Sequence, residues 1–334
     1  MSLARKIEQI WYEDSHWRWA LAPLSLLYRV VVTYRRQRWL SGKKEAYHSR
    51  APVVVIGNLT VGGTGKTPLT LACLDLALEL GLRPGVISRG YGGKARSYPC
   101  RVDQNPDPGL VGDEPLLIWR RSGCPVVVSP LRAEAAQQLE TDFAPDIIFS
   151  DDGLQHYALA RQTEIVVVDG KRGFGNGWCL PAGPLREPLQ RLTQVDFVVY
   201  NGADSPDGSG LRFDLIPGDW VAVGQPMKRC ATPELIKQKG LGQVALAGIG
   251  NPERFFETLH QLGFEAETHS FPDHYQYTAE DFAPFKNRTL LMTEKDAVKC
   301  AGLGLTDAWY LEVKAQLSPP LKEGLKRVLL KGRP

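Results

Sequence analysis

The first fifty residues and the rest of the chain follow different hydrophobic patterns. Residues 19–28, WALAPLSLLY, are uncharged; Arg29 interrupts, residues 30–34 resume the apolar run, and Arg35, Arg36 and Arg38 close it. Neither run is long enough to cross a bilayer. Both suit a helix or helical hairpin lying at a membrane surface, with Trp and Tyr at headgroup depth and Arg against lipid phosphates. After residue 50, short β-branched runs alternate with helical stretches. Residues 52–56, 85–88, 125–128, 145–149, 164–169 and 195–200 read as buried strands, and residues 68–80 as a helix. This alternation predicts an α/β sheet with right-handed crossovers. The polar, turn-forming residues 201–210, NGADSPDGSG, mark the approach to a boundary. Strands at 243–247, 264–269 and 290–293 and an amphipathic helix at 252–262 form a second α/β unit. The expected division is a basic aromatic segment at 1–50, a first domain at 51–210, a linker at 211–235 and a smaller domain at 236–334.

Composition narrows the class. With 43% hydrophobic and 23% charged residues among 334, the chain is neither disordered, coiled-coil nor collagen-like. No uncharged apolar run reaches the ~18 residues that a transmembrane helix needs. Six scattered Cys without a CxxC pair argue against a disulfide framework or a zinc ribbon and for a reducing compartment. The N-terminus lacks a signal-peptide pattern. Net charge is +3, but residues 1–50 hold ten Lys or Arg against four Asp or Glu, leaving the remaining 284 residues at −3. The same fifty residues hold four of the eight Trp. A basic, aromatic, apolar segment on a non-basic body argues for a lipid surface and against nucleic acid.

Residues 57–67, GNLTVGGTGKT, lie between the first strand and the first helix. This is the context of a phosphate-binding loop. Glycines let backbone N–H groups converge on phosphates, the helix N-terminus adds positive potential, Lys66 reaches the β- and γ-phosphates and the Thr67 hydroxyl ligates magnesium. Thr60 stands where the strict GxxxxGK[ST] pattern has Gly, so the full match shrinks to GxGKT. Thr60, Gly62, Gly63, Thr64, Gly65, Lys66 and Thr67 form the expected nucleotide loop. The chain is thus expected to be an α/β protein: a P-loop NTPase-like α/β/α sandwich, a second, smaller α/β domain and N-terminal membrane-surface helices.

Residues 145–153, PDIIFSDDG, read as a strand ending in paired carboxylates. In a parallel P-loop sheet such a strand end lies beside the phosphate loop, where Asp151 or Asp152 can hold magnesium. His156 follows, with its role open. The glycine-rich turn after residue 88 can approach substrate phosphates or be a plain exposed loop. By their position Asp113 and Glu114 read as helix N-terminal residues. The aperiodic loop at 173–188 has the length and composition of a functional segment, and Arg186 is a candidate phosphate contact.

Eight segments in order carry a closer resemblance: VGGTGKTP (61–68), SRGYGG (88–93), GDEP (112–115), SDDGLQH (150–156), LPAGPLRE (180–187), GIGNPERFF (248–256), FPDHY (271–275) and TEKDAVK (293–299). The chain resembles the tetraacyldisaccharide 4'-kinase family, the lipid A kinases of Gram-negative bacteria. The resemblance implies two α/β/α domains with the active site in the cleft between them. It implies ATP-dependent phosphorylation of the 4'-hydroxyl of tetraacyldisaccharide 1-phosphate, with Mg2+, at the cytoplasmic face of the inner membrane. By that resemblance Asp113 is the catalytic base and His274 its partner. Lys66 and Arg186 are active-site cations, and Thr67, Asp151, Asp152 and Glu187 are placed around the metal. A lipid substrate explains the N-terminal segment, because extracting acyl chains costs about 0.8 kcal/mol per buried CH2. The chain is expected to act as a monomer.

The competing reading is a P-loop switch ATPase with no lipid substrate. It shares Lys66, Thr67 and Asp151. The Lys that marks such proteins is absent, since Val61 occupies its place.

Overall fold

The Val- and Ile-rich runs are strands because β-branched side chains pack well on a sheet buried from both sides. The computed structural model describes residues 3–331, apart from 14, 103–106 and 240–241. In chain order the strands are β1 (Val53–Gly57), β2 (Pro84–Ser88), β3 (Cys100–Arg101), β4 (Val126–Val128), β5 (Ile147–Asp151), β6 (Thr163–Asp169) and β7 (Phe197–Asn201). They continue with β8 (Arg212–Ala222), β9 (Gln225–Cys230), β10 (Val244–Ala247), β11 (Glu267–Ser270), β12 (Leu290–Thr293) and β13 (Ala308–Leu317). The α-helices are α1 (Leu3–Tyr12), α2 (Trp17–Leu40), α3 (Lys66–Glu79), α4 (Pro108–Val111) and α5 (Asp113–Ser122). After them come α6 (Arg132–Phe143), α7 (Thr232–Lys239), α8 (Pro252–Gln261), α9 (Glu294–Cys300) and α10 (Pro319–Lys331).

The strands form one sheet in the order β11-β10-β12-β13-β8-β7-β6-β1-β5-β2-β4-β3, with β9 paired to β8. Strands β7, β6, β1, β5, β2 and β4 are mutually parallel. The carboxyl ends of β1, β5, β6 and β7 therefore lie along one edge, where open α/β sheets bind ligands. Apolar clusters cover both faces. One gathers Leu69, Leu74, Leu116 and Leu325 over the sheet, the other Ala135, Leu139, Leu154 and Leu185.

The stretch 211–235 is not a loose linker. It holds β8, β9 and the start of α7. β8 pairs in parallel with β7 at Tyr200↔Arg212 and antiparallel with β13 from Ala222 to Phe213, so the sheet runs unbroken between the two α/β units. The sequence hid this because Pro217 and Gly218 interrupt any alternation in β8. The polar run before it is simply the loop between neighbouring strands. Strand β13 also lay outside the expected elements.

Helix α2 lies along the body and is pinned by few groups. Its buried Ser25 donates from Oγ to the Cys179 carbonyl at 2.6 Å, and Tyr28 donates to the Arg186 carbonyl at 3.1 Å. Trp11 of α1 donates to the Pro181 carbonyl at 2.9 Å. Other apolar side chains of α2 face outward: Leu24, Leu27, Val30, Val31 and Tyr34 are all more than half exposed. Among the described residues no helix is long and apolar enough to cross a membrane.

Candidate active site

The phosphate loop leaves β1 at its carboxyl end and turns into α3 at Lys66. Gly65 caps the helix with φ +93°, and a Cβ there would lie 2.5 Å from the Asn201 side-chain nitrogen. Only glycine fits both conditions. Asn201, at the end of β7, donates to the Thr64 carbonyl at 3.0 Å and so fixes the loop from the neighbouring strand. Thr60 is buried and bridges to Leu185, while Val61 N donates to the Pro184 carbonyl at 2.9 Å. These contacts lay the LPAGPLRE loop beside the phosphate loop. Gly62 and Gly63 form its tip, and Thr67 is buried in the first turn of α3.

Lys66 is 9% exposed and takes two partners, Asn58 Oδ1 at 3.1 Å and Asp152 Oδ1 at 3.6 Å. Asp152 also receives Arg186 at 3.1 Å. Burial works to raise the Asp152 pKa, but the Lys66 and Arg186 charges outweigh it and hold the carboxyl well below its usual range. Asp151 is different. It is fully buried, Thr70 donates to its Oδ1 at 3.3 Å, and its Oδ2 has no hydrogen-bond partner. Burial, then the like charges of Glu114 and Asp152, push its pKa up to about 7. A buried carboxylate with an open acceptor beside a phosphate loop fits a divalent cation, which would supply the missing partner. Burial, then the Arg132 and Arg89 charges, drive the His156 pKa down to about 3, so this ring is neutral.

Glu187 does not join this group. Its carboxylate is 3% exposed and accepts from Tyr157 at 2.5 Å, with Arg191 at 3.8 Å and Gln155 at 3.5 Å. These contacts hold the carboxylate against its own loop. Among the described residues no cluster of three or more His, Cys, Asp or Glu is arranged to hold a metal.

Asp113 begins α5 and meets His274 from the other half of the chain. His274 Nδ1 lies 3.0 Å from Asp113 Oδ2 and 3.2 Å from Oδ1, across 161 residues of sequence. His274 has φ +58°, a left-handed conformation that a non-glycine residue adopts at a cost, and its ring rests on Tyr91 at 4.7 Å. The Asp113 hydrogen bond raises the His274 pKa against partial burial. Burial favours a raised Asp113 pKa, but the His274 bond and the Lys295 charge outweigh it and leave the carboxyl below its ordinary value. Gly112, before Asp113, has φ +89°, and a Cβ there would sit 2.6 Å from the Tyr91 carbonyl. The SRGYGG and GDEP segments therefore cross at van der Waals distance, which glycine alone permits. A Cβ on Gly250 would be 3.6 Å from Gly63 N and 3.3 Å from Asp273 Oδ2. The Gly248–Gly250 turn thus lies between Asp273, the neighbour of His274, and the loop at Gly63.

The structure gathers Lys66, Asp152 and Arg186 into one ion cluster with Asp151 beside it, and joins Asp113 to His274. Asn58, Asn201 and Lys295 were not foreseen. Polar residues at strand ends are the one signal that points to Asn58 and Asn201; Lys295 stands in the TEKDAVK motif, which marks the segment but gives this residue no role.

Known proteins bear on this arrangement. The family model for tetraacyldisaccharide-1-P 4'-kinase matches residues 17–330. The chain is 49% identical over 322 residues to the tetraacyldisaccharide 4'-kinase of Hahella chejuensis, covering 95% of this chain and 94% of that one. It is 48% identical over 319 residues to the enzyme of the same name from Pseudomonas aeruginosa strain LESB58, covering 96% and 95%. Its fold matches the crystal structure of LpxK from Aquifex aeolicus in complex with ATP, with a TM-score of 0.77, 27% identity, and coverage of 94% of this chain and 99% of that one.

Proposed function

Because this chain belongs to the tetraacyldisaccharide-1-P 4'-kinase family, we propose that its cleft binds ATP and transfers the γ-phosphoryl group to the 4'-hydroxyl of tetraacyldisaccharide 1-phosphate. The observation that carries the reading is the Asp113–His274 dyad bordering a phosphate loop through Gly250 and Gly63. A sugar hydroxyl is a weak nucleophile and needs a positioned base as its bond to phosphorus forms. Asp113 accepts the hydroxyl proton. The sugar oxygen bonds to the γ-phosphorus, the bond from that phosphorus to the bridging oxygen breaks, and ADP leaves. His274 orients the Asp113 carboxylate and stabilises its charge.

Lys66 sits on Asp152 and Asn58 and serves as the charge that receives the β- and γ-phosphates. Arg186, on the other side of Asp152, stands ready for charge that develops on the transferred group. Thr67 and Asp151 would hold Mg2+, and the open Asp151 Oδ2 supports that assignment over Asp152, whose oxygens already face two cations. Mg2+, when bound, supplies charge neutralisation on the phosphate oxygens.

The outward apolar residues of α2 and the flanking Arg29, Arg35 and Arg38 support seating of this helix at an anionic membrane surface, the inner face of the bacterial inner membrane. The acceptor keeps its acyl chains in the bilayer there and presents only its headgroup to the cleft. The test is transfer of radiolabelled γ-phosphate from Mg-ATP to the tetraacyldisaccharide 1-phosphate lipid in micelles, beside a control without lipid. Labelled lipid is the expected result. ATP hydrolysis that ignores the lipid would instead favour a switch ATPase and strip the dyad of its role.

A further inference from the structure

The TEKDAVK segment is absorbed by none of the roles above, yet it forms a short helix, α9, tied both to α5, which carries Asp113, and to the loops beside His274. Thr293 caps it by accepting from Asp296 N at 3.2 Å. Its first residue, Glu294, receives Arg121 Nη1 at 2.8 Å on both oxygens. The next, Lys295, pairs with Glu114. Arg121 and Glu114 lie two turns apart on α5, so two consecutive residues of α9 fix that helix at both ends.

The rest of α9 holds the opposite side. Asp296 and Lys299 form an ion pair at 2.8 Å with both side chains 1% exposed. Asp296 accepts from Gly248 N at 3.1 Å and from Tyr277 at 3.2 Å, and Lys299 donates to the Gly248 carbonyl at 3.4 Å. That fixes the start of the Gly248–Gly250 turn, whose other end borders Asp273 and the phosphate loop. The segments that carry Asp113 and His274 are therefore both tied to one seven-residue helix.

Lys295 is the member whose charge reaches the reacting side. Charged groups face it from every packed element: Glu114 and Asp113 from α5, Asp273 beside His274, and Asp151 from β5. Lys299 adds a second positive charge toward Asp113 from α9 itself. Glu114 and Lys295 act on Asp151 with opposite signs, so their pairing also limits the negative charge around the phosphate site.

We propose that Lys295 is the positioning residue of the dyad: anchored by α9 and paired with Glu114, its ammonium holds the first turn of α5 so that the Asp113 carboxylate meets His274 when the cleft is assembled. This rests on the reading of Asp113 as the base. A mere tie between elements would cost stability alone; a positioning charge costs turnover selectively.

The experiment compares full-length Lys295→Met, Lys295→Arg and Arg121→Met in the lipid phosphorylation assay, with thermal melting of each. Lys295→Met is expected to lower kcat about 10- to 100-fold with KM for ATP within about twofold, and Lys295→Arg to recover most of the loss. Arg121→Met, which breaks the other α5–α9 pair away from Asp113, is expected to lower Tm with no comparable kcat loss. In a His274→Ala background Lys295→Met should cost less than about threefold, because both act through Asp113. If Lys295→Met melts too early to assay, Glu114→Gln removes the same pairing and must give the same selective kcat loss. Wild-type kcat in the folded variant, a loss confined to KM for ATP, or full multiplication of the two losses overturns the proposal. Asp113→Asn separates the two failures. If it retains wild-type turnover the reading of the base is wrong; if it is inactive while the Lys295 variants are normal, only the positioning role is wrong.

Discussion

At the residue scale the two carboxylates that end β5 are chemically distinct although adjacent. Asp152 is neutralised by Lys66 and Arg186, while Asp151 is buried with one oxygen open. Lys66 therefore contributes charge to the phosphate site and not packing to the core. Lys66→Ala is expected to leave a folded protein whose phosphoryl transfer falls at least about 100-fold; near-normal turnover would remove Lys66 from the phosphate site. The dyad has a pH signature. The His274 pKa is raised above its ordinary value of 6.5 by Asp113. The stability it contributes is thus fully present below about pH 6.5 and lost as pH rises through the folded value. The Tm difference between wild type and His274→Ala should be about 1–2 °C at about pH 6, matching about 1 kcal/mol, and shrink by about pH 9. A difference that stays flat with pH would mean the ring is not charged against Asp113 in solution.

At the element scale α2 carries a double assignment. Its inner side is specified by a few hydrogen bonds to the 178–186 loop, and its outer side leaves Leu27 62% and Val31 54% exposed. Exposed apolar side chains in such a row mark a binding surface. Burying one in lipid is worth about 1.5–3 kcal/mol. Leu27→Glu together with Val31→Glu should therefore lower binding to phosphatidylglycerol vesicles by more than about tenfold, measured by co-sedimentation. Turnover on detergent-dispersed acceptor should change little, because neither side chain touches the cleft. Unchanged vesicle binding would assign this face to another purpose.

At the scale of the whole molecule the sheet is the frame that joins the two α/β units. β8 pairs with β7 on one side and β13 on the other, so the phosphate loop and the His274 loop are mounted on one hydrogen-bonded body. Side chains reinforce the link. Asn201 donates to the Thr64 carbonyl at 3.0 Å and accepts from Arg254 of α8 at 3.2 Å. Asn201→Ala leaves both partners short of a bond, at a cost of about 1–2 kcal/mol. KM for ATP should rise about 5- to 30-fold with kcat less affected, in steady-state kinetics at saturating lipid. A kcat loss with KM unchanged would place Asn201 on the chemical step and not on loop placement.

The chain's local chemistry was enough for the strands β1, β2, β5 and β12, the glycine turn between β1 and α3 and the exposed basic and aromatic side chains of α2. Buried β-branched runs, glycine turns and amphipathic spacing are local signals whose meaning depends on a few neighbouring residues. By position alone Asp113 reads as a helix N-terminal residue, and only the order of family motifs pointed to its pairing with His274. Tertiary structure decided the rest. It made residues 212–222 a central strand despite Pro217, because strands on both sides supply its hydrogen bonds. It turned Glu187 inward to Tyr157 and Arg191, left Asp151 with an open oxygen while Asp152 took two cations, and brought Lys295 to Glu114. Each of these depends on contacts that the packed chain makes between separate elements. Burial and charge pairing of that kind are properties of the folded molecule, and no local pattern carries them.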